Sequence, residues 1–261
     1  VSVYTPLEFD EVAAFLARYD HLQLTQLQAT TAGIENSNFF LDVLNKQLQA
    51  RALVLTVFES VPEKDLPYFA RLLEHLQNHG LPVPAPLHDN SGATLQHIRH
   101  KPCMLVPRLG GGHIHSPNLA QCAAIGSAMA RIHVASNGFE LRRQGNFDAG
   151  WREESFLRVG HLLSQNDAAL MRQQLDRWQQ HEQHGQPLPR GVTHGDLFHD
   201  NALFDGDRLT GIIDFYYACD DVFVYDLAIL VNDWCNNAAG ELDGQRYAAV
   251  LAGYQEVRTL T

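Results

Sequence analysis

The stretch that most constrains this chain runs from Val192 to Phe215. It contains His194-Gly195-Asp196, then Asn201, then a turn at Asp205-Gly206-Asp207, then an apolar run ending in Asp214-Phe215. Turn formation accounts for Asp205 to Asp207, because Asp and Gly close tight turns. It does not account for Asp196, an Asn five residues later, and an acid at the end of an apolar strand, all together.

Protein kinases space a catalytic base and two magnesium ligands in this way, with an Asp, an Asn at the same offset, and an Asp-Phe pair after a hairpin. The chemistry requires those types. One carboxylate sits against the acceptor hydroxyl, while an amide oxygen and a second carboxylate hold metal that bridges nucleotide phosphates. A net charge of −11 argues against nucleic acid or an anionic membrane as partner. A nucleotide is compatible, since magnesium and a few cations meet its charge locally. The four cysteines, Cys103, Cys122, Cys219 and Cys235, have no paired spacing, which suggests neither a disulfide framework nor a zinc site. No basic-then-apolar leader and no apolar run of membrane-spanning length is seen, so the expectation is a cytoplasmic protein.

The flanking chain reads as an α+β protein. Thr5-Pro6-Leu7-Glu8 is a capping box with Pro at the first helical position. Its helix places Phe9, Val12, Ala13 and Leu16 on one side and ends near Asp20. Leu22–Ala29, Asn38–Leu44 and Ala52–Glu59 read as an antiparallel meander, with turns at Thr31–Asn36 and Asn45–Gln49. A helix follows over Pro62–Gly80, with Phe69, Leu72, Leu73 and Leu76 inward. Pro82, Pro84 and Pro86 lead into two strands, Ala93–Arg99 and Cys103–Leu109. Gly110-Gly111-Gly112 then marks the boundary between an N-terminal unit, 1–109, and a mainly helical unit, 110–261. It is not a phosphate-binding Walker loop, because no Gly-Lys-Ser/Thr follows. In the second unit Ser116 caps a helix carrying the apolar stripe Leu119, Cys122, Ala123, Gly126, Met129, Ala130 and His133. Trp151–Gln165 and Asp167–Gly185 read as helices, the latter with Met171, Leu175 and Trp178 on one face. Tyr225–Trp234 and Leu242–Arg258 read as two more. His113 and His115, without acidic or cysteine neighbours among 14 histidines, read as solvated.

The chain resembles the aminoglycoside phosphotransferase and choline kinase branch of the kinase-like fold, and within it bacterial homoserine kinase of the kinase-like type. The match rests on Thr30 to Phe40, Leu55 to Glu59, His194 to Asn201, Ile213 to Tyr216, Tyr225 to Ala228 and Asn232 to Cys235. The family usually continues beyond Thr261. The resemblance implies a two-lobed fold, an N-terminal antiparallel sheet lobe plus a larger mainly helical lobe. It also implies ATP and Mg2+ as cofactors and L-homoserine as the small-molecule acceptor. Asp196 is then the catalytic base, with His194 ordering its loop or moving a proton, and Asn201 and Asp214 are the magnesium ligands. Gly33 to Asn38 forms the loop over the phosphates, with Asn36 and Ser37 side chains turned toward them. Leu105 to Leu109, including Val106 and Arg108, is the hinge that meets adenine. Asp226 starts a helix that it can cap, and the resemblance implies that it also braces the catalytic loop.

One position departs from the wider fold. Relatives carry a lysine on the third strand that pairs with the α- and β-phosphates, and the matching residue here is Thr56. Lys46, Arg51, Lys101 and Arg108 are the cations considered as its replacement, and the departure weakens a lysine-pairing role for Glu74. For the acceptor, Tyr216, Asp220, Asp221, Asp233 and Trp234 follow the metal hairpin, where a substrate approaches Asp196; each also fits an ordinary surface or packing role. Another hydroxyl acceptor, such as an aminoglycoside, choline or an amino alcohol, remains an alternative, as does a catalytically silent nucleotide-binding module.

Overall fold

The structure is a computed structural model that describes residues 4–30, 35–237 and 239–260. Strands β1 (Gln23–Ala29), β2 (Asn36–Leu44), β3 (Ala50–Phe58), β4 (Leu95–Ile98) and β5 (Lys101–Pro107) form one antiparallel sheet in the order β1-β2-β3-β5-β4. The expected meander is its first three strands. Side chains alternate across the sheet with the two-residue period of a pleated strand. Leu53, Leu55 and Val57 of β3, with Phe39, Leu41 and Val43 of β2, face helix α1 (Phe9–Leu16) in one core. Phe58 of β3 and Met104 and Val106 of β5 face the other way, into a larger core with α2 (Leu66–Asn78). Thr56 lies on that second face between Val54 and Phe58.

Two helix starts differ from expectation, each because a better cap lies nearby. The first helix begins at Phe9, with a reciprocal cap between Glu8 and Glu11. Thr5 is diverted: its amide donates to Ser37 Oγ at 3.0 Å and its hydroxyl accepts from Lys101 Nζ at 2.8 Å. Phe9, the first residue of the helix, is exposed, and Phe15 is buried beside Val12 and Leu16. Similarly, Asn118 rather than Ser116 caps α3 (Leu119–Ala135), exchanging hydrogen bonds with Gln121. Ser116 instead accepts from Arg246.

The larger core continues through α3, α6 (Phe223–Trp234) and α7 (Gly244–Val257). It therefore includes residues on both sides of the glycine run at 110–112, whose Gly112 bridges to Phe204 of the hairpin. Helices α4 (Ala149–Val159) and α5 (Gln165–His184) contain no buried residue. Met171 is exposed, so the expected inward face of that helix is only half covered. Two short ladders complete the fold: β6 (Arg190–Thr193) with β9 (Cys219–Val222), and β7 (Ala202–Asp205) with β8 (Arg208–Ile212). The β6–β9 pair was not foreseen, because four-residue strands leave too little periodicity to read. No helix among the described residues is long and apolar enough to cross a membrane.

Helices α3 and α7 meet backbone to backbone at Gly126 and Gly253. A Cβ on Gly253 would stand 2.0 Å from the Ala123 carbonyl oxygen. In an open helix Gly→Ala stabilises by about 1 kcal/mol. Here overpacking reverses the sign, and Gly253→Ala is expected to cost about 1–3 kcal/mol in urea unfolding. A stabilised variant would contradict the packing.

Candidate active site

Asp196 sits on a loop between β6 and β7 whose backbone is held from beneath. Gly195 has φ of +77°, and a Cβ there would meet the Tyr217 carbonyl oxygen at 3.0 Å, so glycine is required on both counts. The amides of His194 and Gly195 both donate to the fully buried Asp226 carboxylate, each at 2.9 Å. His133 Nε2 completes that carboxylate's shell at 3.0 Å. Burial pushes the Asp226 pKa up, but the His133 hydrogen bond and the Gly195 amide outweigh it and hold it below the usual range.

His194 has no nitrogen free for proton transfer to a substrate. Its Nδ1 accepts from the Asp196 amide at 3.2 Å, so its Nε2 carries the proton donated to the Ile213 carbonyl at 3.0 Å. Burial lowers its pKa, which favours this neutral tautomer. Of the two roles considered, the geometry fits ordering the loop.

Asn201 ends a 3-10 turn, and its amide is oriented without ambiguity. Nδ2 donates to the Asp196 backbone oxygen at 2.8 Å and to Asp196 Oδ2 at 3.0 Å. Its Oδ1 is thereby left as an acceptor. Asp214 follows the β7–β8 hairpin in left-handed conformation, φ 65° and ψ 56°, which costs a non-glycine residue roughly 1–2 kcal/mol. Such strain persists where the surroundings impose it. Asp196 and Asp214 both have pKa values raised to about 6. Desolvation is the main cause for each, and neighbouring acids add to it: Asp200 and Glu35 for both, Asp233 for Asp196, and Asp196 for Asp214. Asp214 is exposed by surface area, yet protein encloses it closely enough for this effect.

This donor set fits magnesium. Magnesium takes one or two protein carboxylates and completes its shell with phosphate and water oxygens. Among the described residues no group of three or more His, Cys, Asp or Glu side chains could hold a metal alone. An amide oxygen plus one carboxylate beside crowded, uncompensated acids is what a nucleotide-bound metal needs.

The residues proposed for the acceptor are placed otherwise. Trp234 is fully buried and donates from Nε1 to the Leu197 carbonyl at 3.1 Å. Asp233 Oδ2 accepts from the His199 amide at 2.6 Å and from His199 Nδ1 at 2.8 Å. Asp220 accepts from the Arg143 amide at 2.9 Å, and Asp221 caps the amide of its own neighbour Val222 at 2.7 Å. Tyr216 packs edge-on against Phe58 and Phe69, with centroids 5.0 and 5.6 Å apart. Of these, Asp233 and Trp234 hold the backbone of the loop that carries Asp196. Two residues passed over in the sequence stand nearer: Glu35, which accepts from the Tyr217 hydroxyl, and the exposed Asp200. Nothing in composition or spacing marks Glu35, which meets Tyr217 across 182 residues.

On the sheet side, Gly33 lies outside the described residues. Ser37 faces α1, its oxygen receiving the Tyr4 and Thr5 amides at 2.8 and 3.0 Å while its hydroxyl donates to Glu59 at 2.6 Å, so it does not turn toward the acids. Asn36 is buried, and its Oδ1 lies 3.4 Å from the Glu59 amide. Val106 is a buried core residue, and Arg108 lays its guanidinium 3.8 Å from the Phe40 ring centroid. Glu74 pairs with His88 at 2.7 Å. His113 and His115 are exposed.

The model of the phosphotransferase enzyme family matches residues 26–260. A homoserine kinase of Pseudomonas aeruginosa (strain UCBPP-PA14) is 41% identical over 261 residues, covering 100% of this chain and 81% of its own length. One from Methylobacillus flagellatus is 39% identical, covering 100% and 80%. Among solved structures, an amicoumacin kinase in complex with AMP-PNP, Ca2+ and amicoumacin superposes with a TM-score of 0.74 at 18% identity, covering 98% of this chain and 79% of that one. A spectinomycin phosphotransferase in complex with ADP and spectinomycin gives 0.69 at 14% identity, covering 98% and 82%. At these identities the structures establish the kinase-like fold.

The raised acids make a stability prediction with a definite sign. Unfolded aspartates titrate near about 3.9, whereas these two titrate at about 6 in the fold. The metal-free fold is therefore penalised above pH 6, and the penalty fades as pH falls toward about 4. Asp214→Asn, which also tolerates the left-handed backbone, should raise the melting temperature of metal-free protein at about pH 8 and leave it unchanged near pH 4. No gain at the higher pH would contradict this reading.

Proposed function

This chain belongs to the homoserine kinases of the phosphotransferase enzyme family, and on that premise we propose that it transfers the γ-phosphoryl group of ATP to the side-chain hydroxyl of L-homoserine. The product is O-phospho-L-homoserine, used in threonine synthesis. The observation that carries the proposal is the amide of Asn201, whose NH2 group is spent on Asp196 while its oxygen is left as an acceptor.

In this reading Asp196 is the base. Asn201 Nδ2 occupies its Oδ2, leaving Oδ1 for the acceptor hydroxyl, and a pKa near 6 keeps it ionised yet able to take a proton at neutral pH. Asn201 Oδ1 and Asp214 would hold magnesium, which when bound offsets the charge of the β- and γ-phosphates. The segment Leu105 to Leu109 lines the base end of the nucleotide, and the division between nucleotide and acceptor sides falls at the glycines after Leu109. Asp220 and Asp233 are committed to Arg143 and His199, so Asp200 is the carboxylate left to meet the substrate ammonium. It is exposed and close enough to raise the pKa of Asp196.

Phosphoryl transfer depends on positioning and electrostatics, so Asp196→Asn should lower kcat by roughly 10²–10⁴-fold with little change in KM for ATP. ADP release with saturating homoserine measures it, and turnover near wild type would reject the base assignment. A charge-assisted contact to the substrate carboxylate is worth about 1.5–3 kcal/mol. In competition homoserine should therefore outpace its decarboxylated amino alcohol by roughly ten- to a hundred-fold in kcat/KM. Equal rates would point to a different acceptor.

A further inference from the structure

The cations considered for the missing strand lysine are engaged elsewhere. Lys101 lies on the α1 face, bonded to Glu59 and to Thr5 Oγ1. Lys46 and Arg51 line a recess with Tyr19, Leu22, Leu87 and His88, away from the acids. Arg108 is on the cleft face but lies over Phe40, which pairs with Val54, two steps along the β2–β3 ladder from Asn38 and Thr56.

The two side chains at Asn38 and Thr56 are paired in register on the cleft face and hydrogen-bonded to each other. Thr56 Oγ1 donates to Asn38 Oδ1 at 2.7 Å. Because Oδ1 takes the threonine proton, the NH2 group of the half-buried Asn38 keeps its two donors. Asn38 and Thr56 lie on the sheet face that carries Phe58, and Phe58 meets the ring of Tyr216, two residues beyond Asp214, edge-on at 5.0 Å, which sets the pair beside the metal-carboxylate end of the site.

We infer that the Asn38 side-chain amide binds the phosphates in place of the strand lysine, with Thr56 as the positioning residue that turns its donors outward. This rests on the nucleotide reading of the cleft proposed above. A neutral donor in place of a cation leaves more of the phosphate charge to the metal. It also explains why a threonine is tolerated at a strand position where kinases otherwise use lysine.

Equilibrium binding of magnesium-ADP and of adenosine separates this inference from the reading on which it rests. Asn38→Ala should weaken magnesium-ADP by about ten- to a hundred-fold, the range of one hydrogen bond to a charged group, while adenosine affinity changes by less than about twofold. Asn38→Asp, which keeps the shape but reverses the donor, should be weaker still for ADP. Thr56→Ser should bind like wild type, and Thr56→Val should lose affinity severalfold for ADP alone. The inference is overturned if both Asn38 variants bind magnesium-ADP normally, or if adenosine is lost in parallel with ADP, which would make the role one of packing. If the wild-type protein bound adenosine but not magnesium-ADP, the phosphate reading of the cleft would fall, and this inference with it. Should Asn38→Ala not fold, the Asn38→Asp and Thr56→Val arms carry the test.

Discussion

The buried Asp226 carboxylate is the interaction on which the rest of the site depends. Taking a carboxylate out of water costs several kcal/mol unless its oxygens are met by well-placed donors. Here the donors are the His194 and Gly195 amides and His133 Nε2, so the cost of burial is recovered only when the catalytic loop takes one conformation. The network extends further. His133 Nδ1 meets the Tyr254 hydroxyl at 2.7 Å, and that hydroxyl accepts from Arg258 at 3.2 Å. Stacking on Phe223, with ring centroids 4.1 Å apart, holds the imidazole plane. A loop that must present Asp196 is thus anchored to α3, α6 and α7 at once.

Helix α6 supplies most of this support from one face. Asp226, Asp233 and Trp234 stand at i, i+7 and i+8, two helical turns apart, and so project together. They hold the His194–Gly195 amides, the His199 amide and the Leu197 carbonyl. One rigid helix therefore reads the catalytic loop at both ends, while Asn201 closes it from within through Asp196. The acids of the site are left crowded and partly desolvated, a state that costs stability and that a bound cation relieves.

What was legible in the sequence follows from how local each signal is. The Asp196, Asn201 and Asp214 spacing lies within one short stretch, and the meander and the α2 stripe are local periodicities, so these were readable directly. Helix starts at Thr5 and Ser116 misled because each residue is drawn to a distant partner, Ser37 with Lys101 in one case and Arg246 in the other. Asp233 and Trp234 were conspicuous, and their position after the hairpin suggested substrate contact. In the fold their polar atoms are instead spent on His199 and on the Leu197 carbonyl. Asn38 and Thr56 were placed at the nucleotide by the resemblance, but their mutual hydrogen bond, like the contact of Glu35 with Tyr217, was not legible, because only the folded chain brings the partners together.

The account reduces to a division of labour among three side chains, with one carboxylate facing the acceptor and an amide and a second carboxylate facing the phosphates. The most direct measurement is a crystal structure with a non-hydrolysable ATP analogue, magnesium and L-homoserine. The account predicts magnesium at about 2.0–2.1 Å from Asn201 Oδ1 and an Asp214 oxygen, the usual distance for this ion, with the homoserine hydroxyl against Asp196 Oδ1. Magnesium held by other residues, or the hydroxyl placed away from Asp196, would contradict it.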